Sequence, residues 1–389
     1  MKKAILLPLA VLLPFLTSCV VVHVTESDSF SSGDLKATAS ASQNGAIPAN
    51  LKVLEVDNRS GLIRVVGVEA DTGEWSWQLT VRARTEELAQ QAAQAAVCRA
   101  ESEADTLRLV VTLPESKGGI SFQSDLEIRA PKSVILRTKN RYGPTEISDF
   151  QRDVTAANQG GALDIRNVRG EVKAQNSYAT LKVNHSGPAT LKNQSGLIEA
   201  LNIQGALDAE TSYASLVARD IGGSVRLRNQ SGRIEVTRTA GNADLKTSYA
   251  QISAMEINGD ATLMNQSGVI NASNVSGQMK ATTSYAALSI QAATGANIVC
   301  QNHSGSIQVQ ATSLTLTNLE ARTSYAPLEI HLPAALKPVV TAETTYGKVE
   351  SDFPVILNSA SRNAASETPP DAPRVSLQNR SGGIRVIRD

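Results

Sequence analysis

Asn229-Gln-Ser-Gly-Arg-Ile-Glu-Val-Thr-Arg-Thr-Ala-Gly-Asn-Ala-Asp-Leu-Lys246 is followed directly by Thr247-Ser-Tyr-Ala-Gln-Ile-Ser-Ala-Met-Glu-Ile-Asn-Gly-Asp-Ala-Thr-Leu-Met264. The two 18-residue stretches align without a gap. Apolar residues share position 6 (Ile234, Ile252), position 8 (Val236, Ala254), position 15 (Ala243, Ala261) and position 17 (Leu245, Leu263). Pairs of apolar columns two residues apart describe two short strands per unit, each with one face turned inward. Glycine recurs at position 13 (Gly241, Gly259), where a turn with positive φ is expected between the strands. The first three positions differ in a regular way, Asn-Gln-Ser in one unit and Thr-Ser-Tyr in the next.

The same alternation extends in both directions. All seven tyrosines, Tyr142, Tyr178, Tyr213, Tyr249, Tyr285, Tyr325 and Tyr346, occupy position 3, and the first five are 35 or 36 residues apart. Between them fall Asn193, Asn229, Asn265 and Asn302 of Asn-x-Ser-Gly, with a degenerate copy at Asn158. A fixed period of this kind marks a solenoid, in which each coil buries its apolar face only against its neighbours. The expected fold is all-β: a single-stranded parallel β-helix (β-solenoid) of about 18-residue coils, with a third short side left open at position 11. Twelve or so coils at about 4.8 Å each predict a rod of roughly 60 Å. The unit from Asn176 is one residue short, and after Asn302 the units lengthen to 21 residues.

Residues 140–357 hold the regular repeats. Residues 51–139 read as an N-terminal β region with a capping helix, because a bare solenoid end exposes unpaired strand edges. Thr85 is placed to cap that helix, which runs to about Val97, with Glu86 and Glu87 in its first turn. Trp75, Trp77, Leu79 and Val81 share one face of a strand. Residues 358–373 are a low-complexity loop. Residues 374–389 nearly repeat the opening Val56-Asp-Asn-Arg-Ser-Gly-Leu-Ile-Arg-Val and are expected to form one last coil.

At the N-terminus, Lys2 and Lys3 precede an apolar run from Ala4 to Phe15, and Leu16-Thr-Ser-Cys19 follows. The pattern describes a secretory signal over residues 1–18, too short for a membrane span. Leu-Thr-Ser-Cys is similar to the bacterial lipoprotein box, which makes Cys19 the lipidated first residue of the mature chain. With Val20 after it, the resemblance favours the outer membrane. Residues 19–50, rich in Ser, Ala and Thr, read as a flexible tether.

Lys plus Arg equals Asp plus Glu at 37 each, so no net field draws in nucleic acid. Four scattered histidines and the isolated Cys98 and Cys300 give no metal-ligand spacing, and no cofactor motif is present. The two cysteines read as buried, unpaired thiols. The best catalytic constellation is the position-7 row of Glu146, Asp164, Lys182 and Glu199, whose neighbouring carboxylates suit acid/base work. Short coils leave no loops to build a cleft around it, so the expectation is no enzyme. Outward charges are expected to pair between coils: Asp208, Arg226 and Asp244 alternate at position 16, and Glu210 faces Arg228 at position 18.

Parity along the coil turns position 1 inward and leaves positions 2 and 3 outside. Buried Asn158, Asn193, Asn229, Asn265 and Asn302 then form a corner ladder, bonding the backbone of adjacent coils, with Thr doing so more weakly. The tyrosines form an exposed row on every second coil. Two roles fit it. A ring can lie over the Ser-Gly of the next coil as a structural clasp, which the alternation with small residues favours. Alternatively, regularly spaced rings form a strip that stacks on sugars or on a partner's apolar groups.

The opening Val56-to-Val65 turn, the Glu/Ala-rich helix near 85–97, the strand ending in Ala130-Pro131 and the repeated Ser-Gly-x-Ile-x-Val/Ala units together resemble a bacterial putative-adhesin family with β-strand repeats, a domain family of unknown function. The resemblance covers nearly all of residues 51–389 and implies a β-helix exported to the cell envelope. The strict Tyr/Ser alternation departs from the family's looser pattern. The expected function is a lipid-anchored adhesion or interaction scaffold whose partners are the membrane and a surface glycan or envelope protein. An accessory component of envelope stress sensing is the alternative, and a polysaccharide-active enzyme is a third.

Overall fold

The computed structural model describes residues 35–115, 119–357 and 372–389, together with the backbone of 21–26. The expected signal peptide, Cys19 and residues 358–371 of the low-complexity loop lie outside the described residues.

Each regular unit gives one strand to each of two sheets. From the unit starting at Asn229, Ile234–Thr239 enters the first sheet and Ala243–Lys246 the second. Ile234 pairs in parallel with Ile252 in the following unit, and Ala243 with Ala261, a step of 18 residues in both sheets. The first sheet holds 18 strands and the second 17. Neither ladder returns to its first strand, so neither sheet closes on itself. The inward columns of both sheets, such as Ile234, Val236, Ala243 and Leu245, are fully buried and join one continuous core. Small residues opposite large ones keep that core thin.

The turns depart from expectation in an instructive way. Gly223, Gly277 and the other position-13 glycines are not among the residues with positive φ. Close stacking requires them instead: a Cβ on Gly223 would lie 2.7 Å from Ala206 N, and one on Gly277 would lie 2.5 Å from Gly259 C. The left-handed residue sits at position 10, as in Asn167 (φ 54°), Asp220 (φ 59°) and Asn274 (φ 54°). Asn and Asp tolerate that region better than most side chains. The kink turns position 11 inward, so Val168, Ile221 and Val275 are buried as the last residues of first-sheet strands. Position 11 therefore ends a strand and does not make a third side.

Both ends of the stack break chain order. Val53–Ser60 lies between Thr106–Thr112 and Ile135–Tyr142. At the other end, Arg374–Asn379 lies between Asn318–Thr323 and Val339–Thr344. Ile384–Arg388 likewise lies between Leu328–Leu332 and Val349–Ser351. The coil at 374–389, expected to come last, is an inserted rung, and residues 339–357 lie beyond it. With these insertions counted, the parallel stack is longer than expected, about 70 Å at about 4.8 Å per rung.

The N-terminal cap also overturns one expectation. Ala37–Ile47, read as part of a tether, is an 11-residue strand paired antiparallel with Gly73–Ala83 along its whole length. Its alternating Ala37, Ala39 and Ala41 are buried. Their small size lets the helix Glu86–Ala95 pack closely on this pair of strands through Ala89, Ala92 and Ala93. Thr85 caps the helix, its Oγ1 accepting from Leu88 N at 3.3 Å. Trp75, Trp77, Leu79 and Val81 share the buried face, and Trp77 Nε1 donates to Ser124 Oγ at 2.7 Å.

Candidate functional site

The corner between second-sheet and first-sheet strands carries the tyrosine row, and its construction starts with the buried asparagines. Asn193, Asn229, Asn265 and Asn302 are 6–8% exposed. In each case Nδ2 donates to the position-4 carbonyl of the preceding coil: Ala179 at 2.8 Å, Ala214 at 2.7 Å, Ala250 at 2.6 Å and Ala286 at 2.8 Å. Oδ1 accepts from the coil's own glycine, at 3.0 Å from both Gly232 N and Gly268 N. Asn158 makes the same reach to Gly143 O at 3.0 Å, but its Oδ1 accepts from Gln159 N. On the alternate coils, Thr247 and Thr283 donate to Gly232 O and Gly268 O at 3.3 and 3.2 Å, the weaker partner expected of a hydroxyl here. The position-4 glycine leaves room for the asparagine: a Cβ on Gly268 would lie 2.2 Å from Ala250 O and 2.5 Å from Asn265 Nδ2.

This corner holds positions 2 and 3 outward, rung after rung. Backbone bonds link Ser195 N to Ser177 O, Ser231 N to Ser212 O and Ser267 N to Ser248 O at 2.9 to 3.0 Å. The seven tyrosines are 54–76% exposed, and no hydroxyl among them has a hydrogen-bond partner among the described residues. Tyr325 meets His303 of the preceding rung edge-on, with centroids 5.5 Å apart. A Cβ on Gly160 would lie 3.2 Å from Tyr142 Cδ1, so that ring leans toward the next rung.

The inserted C-terminal coil changes the meaning of the row. In sequence, Tyr325 and Tyr346 belong to consecutive units with no serine unit between them. In the fold, Ser381 N donates to Ser324 O at 2.9 Å, and Tyr346 N donates to Arg380 O at 2.9 Å. Asn379-Arg-Ser-Gly382 thus supplies the missing rung, with Asn379 Nδ2 bonded to Ala326 O at 2.9 Å. Tyrosine and small residue now alternate without exception from Ser60, which pairs with Tyr142, to Tyr346. The sequence reading also passed over position 2, where Gln194, Gln230 and Gln266 alternate with Ser212, Ser248 and Ser284. Their 36-residue period is the same signal that revealed the tyrosines.

The position-7 row does stand in register across the first sheet, Glu146 opposite Asp164, Lys182 and Glu199 in turn. Each carboxylate is taken up by a cation: Glu146 by Arg64 at 2.9 Å, Asp164 by Arg166 at 2.8 Å and Glu199 by Lys182 at 2.9 Å. On the second sheet, Arg228 turns from its register partner Glu210 to Asp244, at 3.0 Å. A depression of about 500 Å³, open to solvent, lies on that sheet along Glu171, Thr190, Asp208 and Arg226. Cys98 and Cys300 are buried free thiols. Burial pushes Cys98 up to about 12 and raises Cys300 as well. Among the described residues there is no cluster of potential metal ligands, and no helix is long and apolar enough to cross a membrane.

Comparison with known proteins gives little. No family model and no curated protein matches the chain. Among solved structures, a putative cell adhesion protein from Clostridium sporogenes aligns over 95% of this chain and 100% of its own, at 8% identity and a TM-score of 0.17. A putative adhesin from Bacteroides fragilis aligns over 68% and 96%, at 15% identity and a TM-score of 0.32. A putative lipid binding protein from Parabacteroides distasonis aligns over 89% and 97%, at 12% identity and a TM-score of 0.22. At these scores the matches settle neither fold nor function.

One hydrogen-bonded cluster ties the inserted coil to the preceding rung. His331 Nδ1 and Nε2 lie 2.9 Å from Asp389 and 2.9 Å from Glu329. Hydrogen bonds that His331 donates to Asp389 and then to Glu329 raise its pKa, and the imidazole lowers those of both carboxyls. Gln308 and Gln310 also reach Glu329 and Asp389, and Arg385 stands opposite Glu329. A raised histidine stabilises fully below its ordinary pKa of about 6.5 and loses that contribution as pH rises through the shifted value. The lowered carboxyls contribute above their ordinary values of about 4 and lose it as pH falls. Protection of residues 374–389 from hydrogen exchange is therefore expected to be greatest near pH 5–6 and weaker at pH 8.5. His331→Gln should flatten the upper limb of that profile. An unchanged profile would show that the cluster does not hold the coil.

Proposed function

We propose that this protein is a single-stranded parallel β-solenoid of the cell envelope, anchored by lipid at Cys19 in the outer membrane and acting as a non-catalytic adhesion or interaction scaffold. The observation that carries this reading is the row of seven exposed tyrosines at a constant two-rung spacing along one corner. A clasp needs only one face of each ring, and more than half of each residue's area is left to solvent. The ion-paired position-7 carboxylates and the open, shallow depressions supply no enclosed site for chemistry. The membrane enters as the anchor's partner, and no metal or cofactor is required.

The test uses serine, which the stack already accepts at this position on alternate rungs. Cells carrying Tyr178→Ser, Tyr213→Ser, Tyr249→Ser and Tyr285→Ser together are expected to bind neighbouring cells or isolated envelope at least about tenfold less than wild type, since each ring contributes roughly 0.5–1.5 kcal/mol. Expression and membrane retention should be equal. Undiminished binding would reduce the row to a clasp and remove the basis for the scaffold reading.

A further inference from the structure

We infer that the tyrosine row is a track for an uncharged, extended β-1,4-linked polysaccharide lying along the stack axis, a ligand class that rests on the scaffold reading above. Three observations point to it.

The first is the step. Successive tyrosines are two rungs apart, about 9.6 Å. That is close to the length of one disaccharide in an extended β-1,4-linked chain. In such a chain each sugar is turned half over relative to the last, so every second sugar presents the same face. A row with one aromatic on every second rung matches that symmetry. The match holds across all seven tyrosines only because Ser381 restores the missing rung between Tyr325 and Tyr346.

The second is the chemistry between the rings. Gln194, Gln230 and Gln266 are exposed on the intervening rungs, and their side-chain amides have no partner among the described residues. The seven tyrosine hydroxyls are equally unengaged. Aromatic faces take the C–H face of a sugar, while amides and hydroxyls donate to and accept from its hydroxyl groups. A purely structural clasp has no use for the amides.

The third is charge and shape. From Gln159 to Tyr285, positions 2 and 3 of every unit carry no ionisable carboxylate, lysine, arginine or histidine, so this part of the strip selects neither polyanion nor polycation. The corner runs continuously from rung to rung, with the tyrosines exposed along it. That geometry suits an extended polymer better than a compact ligand. A second copy of this chain shares the period, but docking two rows would bury the unpaired amides against rings. A hydroxyl-rich ligand satisfies them.

The experiment titrates the lipidated full chain in detergent with β-1,4-linked oligomers of glucose and of N-acetylglucosamine, two, four and six sugars long. Oligomers of α-1,4-linked glucose serve as controls. Affinity for at least one β-linked series should rise by about fivefold with each added disaccharide, one more ring being engaged each time. The α-linked oligomers should not bind. Tyr249→Ser leaves two of the three-ring registers intact and should weaken the six-sugar ligand only about twofold, whereas Tyr213→Ser, Tyr249→Ser and Tyr285→Ser together leave none and should weaken it about tenfold, with the thermal midpoint unchanged. Binding that is indifferent to length, linkage or the triple substitution overturns the track. Failure of every β-linked oligomer to bind overturns it too. If cell adherence still falls in the tyrosine variants, the scaffold reading survives without this ligand. If sedimentation shows a wild-type dimer that the triple variant loses, the occupant is a second copy, and the polysaccharide is wrong.

Discussion

Deleting residues 358–389 is expected to unravel the C-terminal end of the stack back to about residue 318 while leaving the preceding coils folded. The deleted segment contains the inserted rung, whose Val375, Leu377, Ile384 and Val386 are each 1% exposed. At roughly 1.5–3 kcal/mol for each buried aliphatic side chain, about 6–12 kcal/mol of local burial goes with it. Val339–Thr344 and Val349–Ser351 then lose the strands that join them to the stack. Direct docking of 339–351 onto 318–332 would set Tyr325 and Tyr346 on neighbouring rungs, against the alternation kept everywhere else. In a stack where each coil contacts only its neighbours, damage stays local. Limited proteolysis should therefore show new cleavage between residues 318 and 357 and an unchanged pattern before them. The exposed strand edges should also promote association. Resistance of residues 339–357 in the truncated chain would show that the inserted rung is dispensable.

Asn265→Ala is expected to cost about 2–5 kcal/mol, against about 1 kcal/mol for Thr247→Ala one rung away. The asparagine holds two buried backbone groups in two coils, Ala250 O at 2.6 Å and Gly268 N at 3.0 Å. Alanine removes the partner of both groups at a buried corner. Thr247 has one hydroxyl proton to offer two carbonyls, Gly232 O at 3.3 Å and Gln230 O at 3.5 Å, both long contacts. Because Asn265 ties one coil to the next, its loss weakens a coil interface at mid-stack, and denaturant unfolding should broaden or split into two steps. Equal costs for the two substitutions would mean that the asparagine ladder does not govern corner stability.

Much of this architecture is legible along the chain because a repeating unit states its own rule many times. The columns at positions 6, 8, 15 and 17 announce two inward strands, and the structure buries them. Asn-x-Ser-Gly announces a buried asparagine beside a glycine with no room for a side chain, and the corner has that geometry. Other features were hidden for definite reasons. Positive φ falls on position 10, not on the turn glycines, and there it is adopted by His185, Arg238 and Glu256 as well as by Asp220 and Asn274, so residue type alone does not reveal it. Ala37–Ile47 looked like a tether because Ala-Thr-Ala-Ser-Ala-Ser has too little apolar area to announce a strand. Only the helix lying on it explains why small side chains suffice there. The preference of Arg228 for Asp244 over Glu210 is a matter of side-chain reach that register alone does not decide.

For the tyrosine row, the sequence by itself determined the period, the outward corner and the alternation with small residues, all consequences of strand parity and an 18-residue repeat. Tertiary structure alone decided that the alternation is unbroken. The rung between Tyr325 and Tyr346 comes from Asn379-Arg-Ser-Gly382, more than fifty residues away from Tyr325 in the chain. Periodicity cannot order rungs that are chemically alike, since any coil presents nearly the same strand edges as any other. Which pair of rungs an extra coil enters is decided by the packing on both of its sides and by the path of the chain that delivers it.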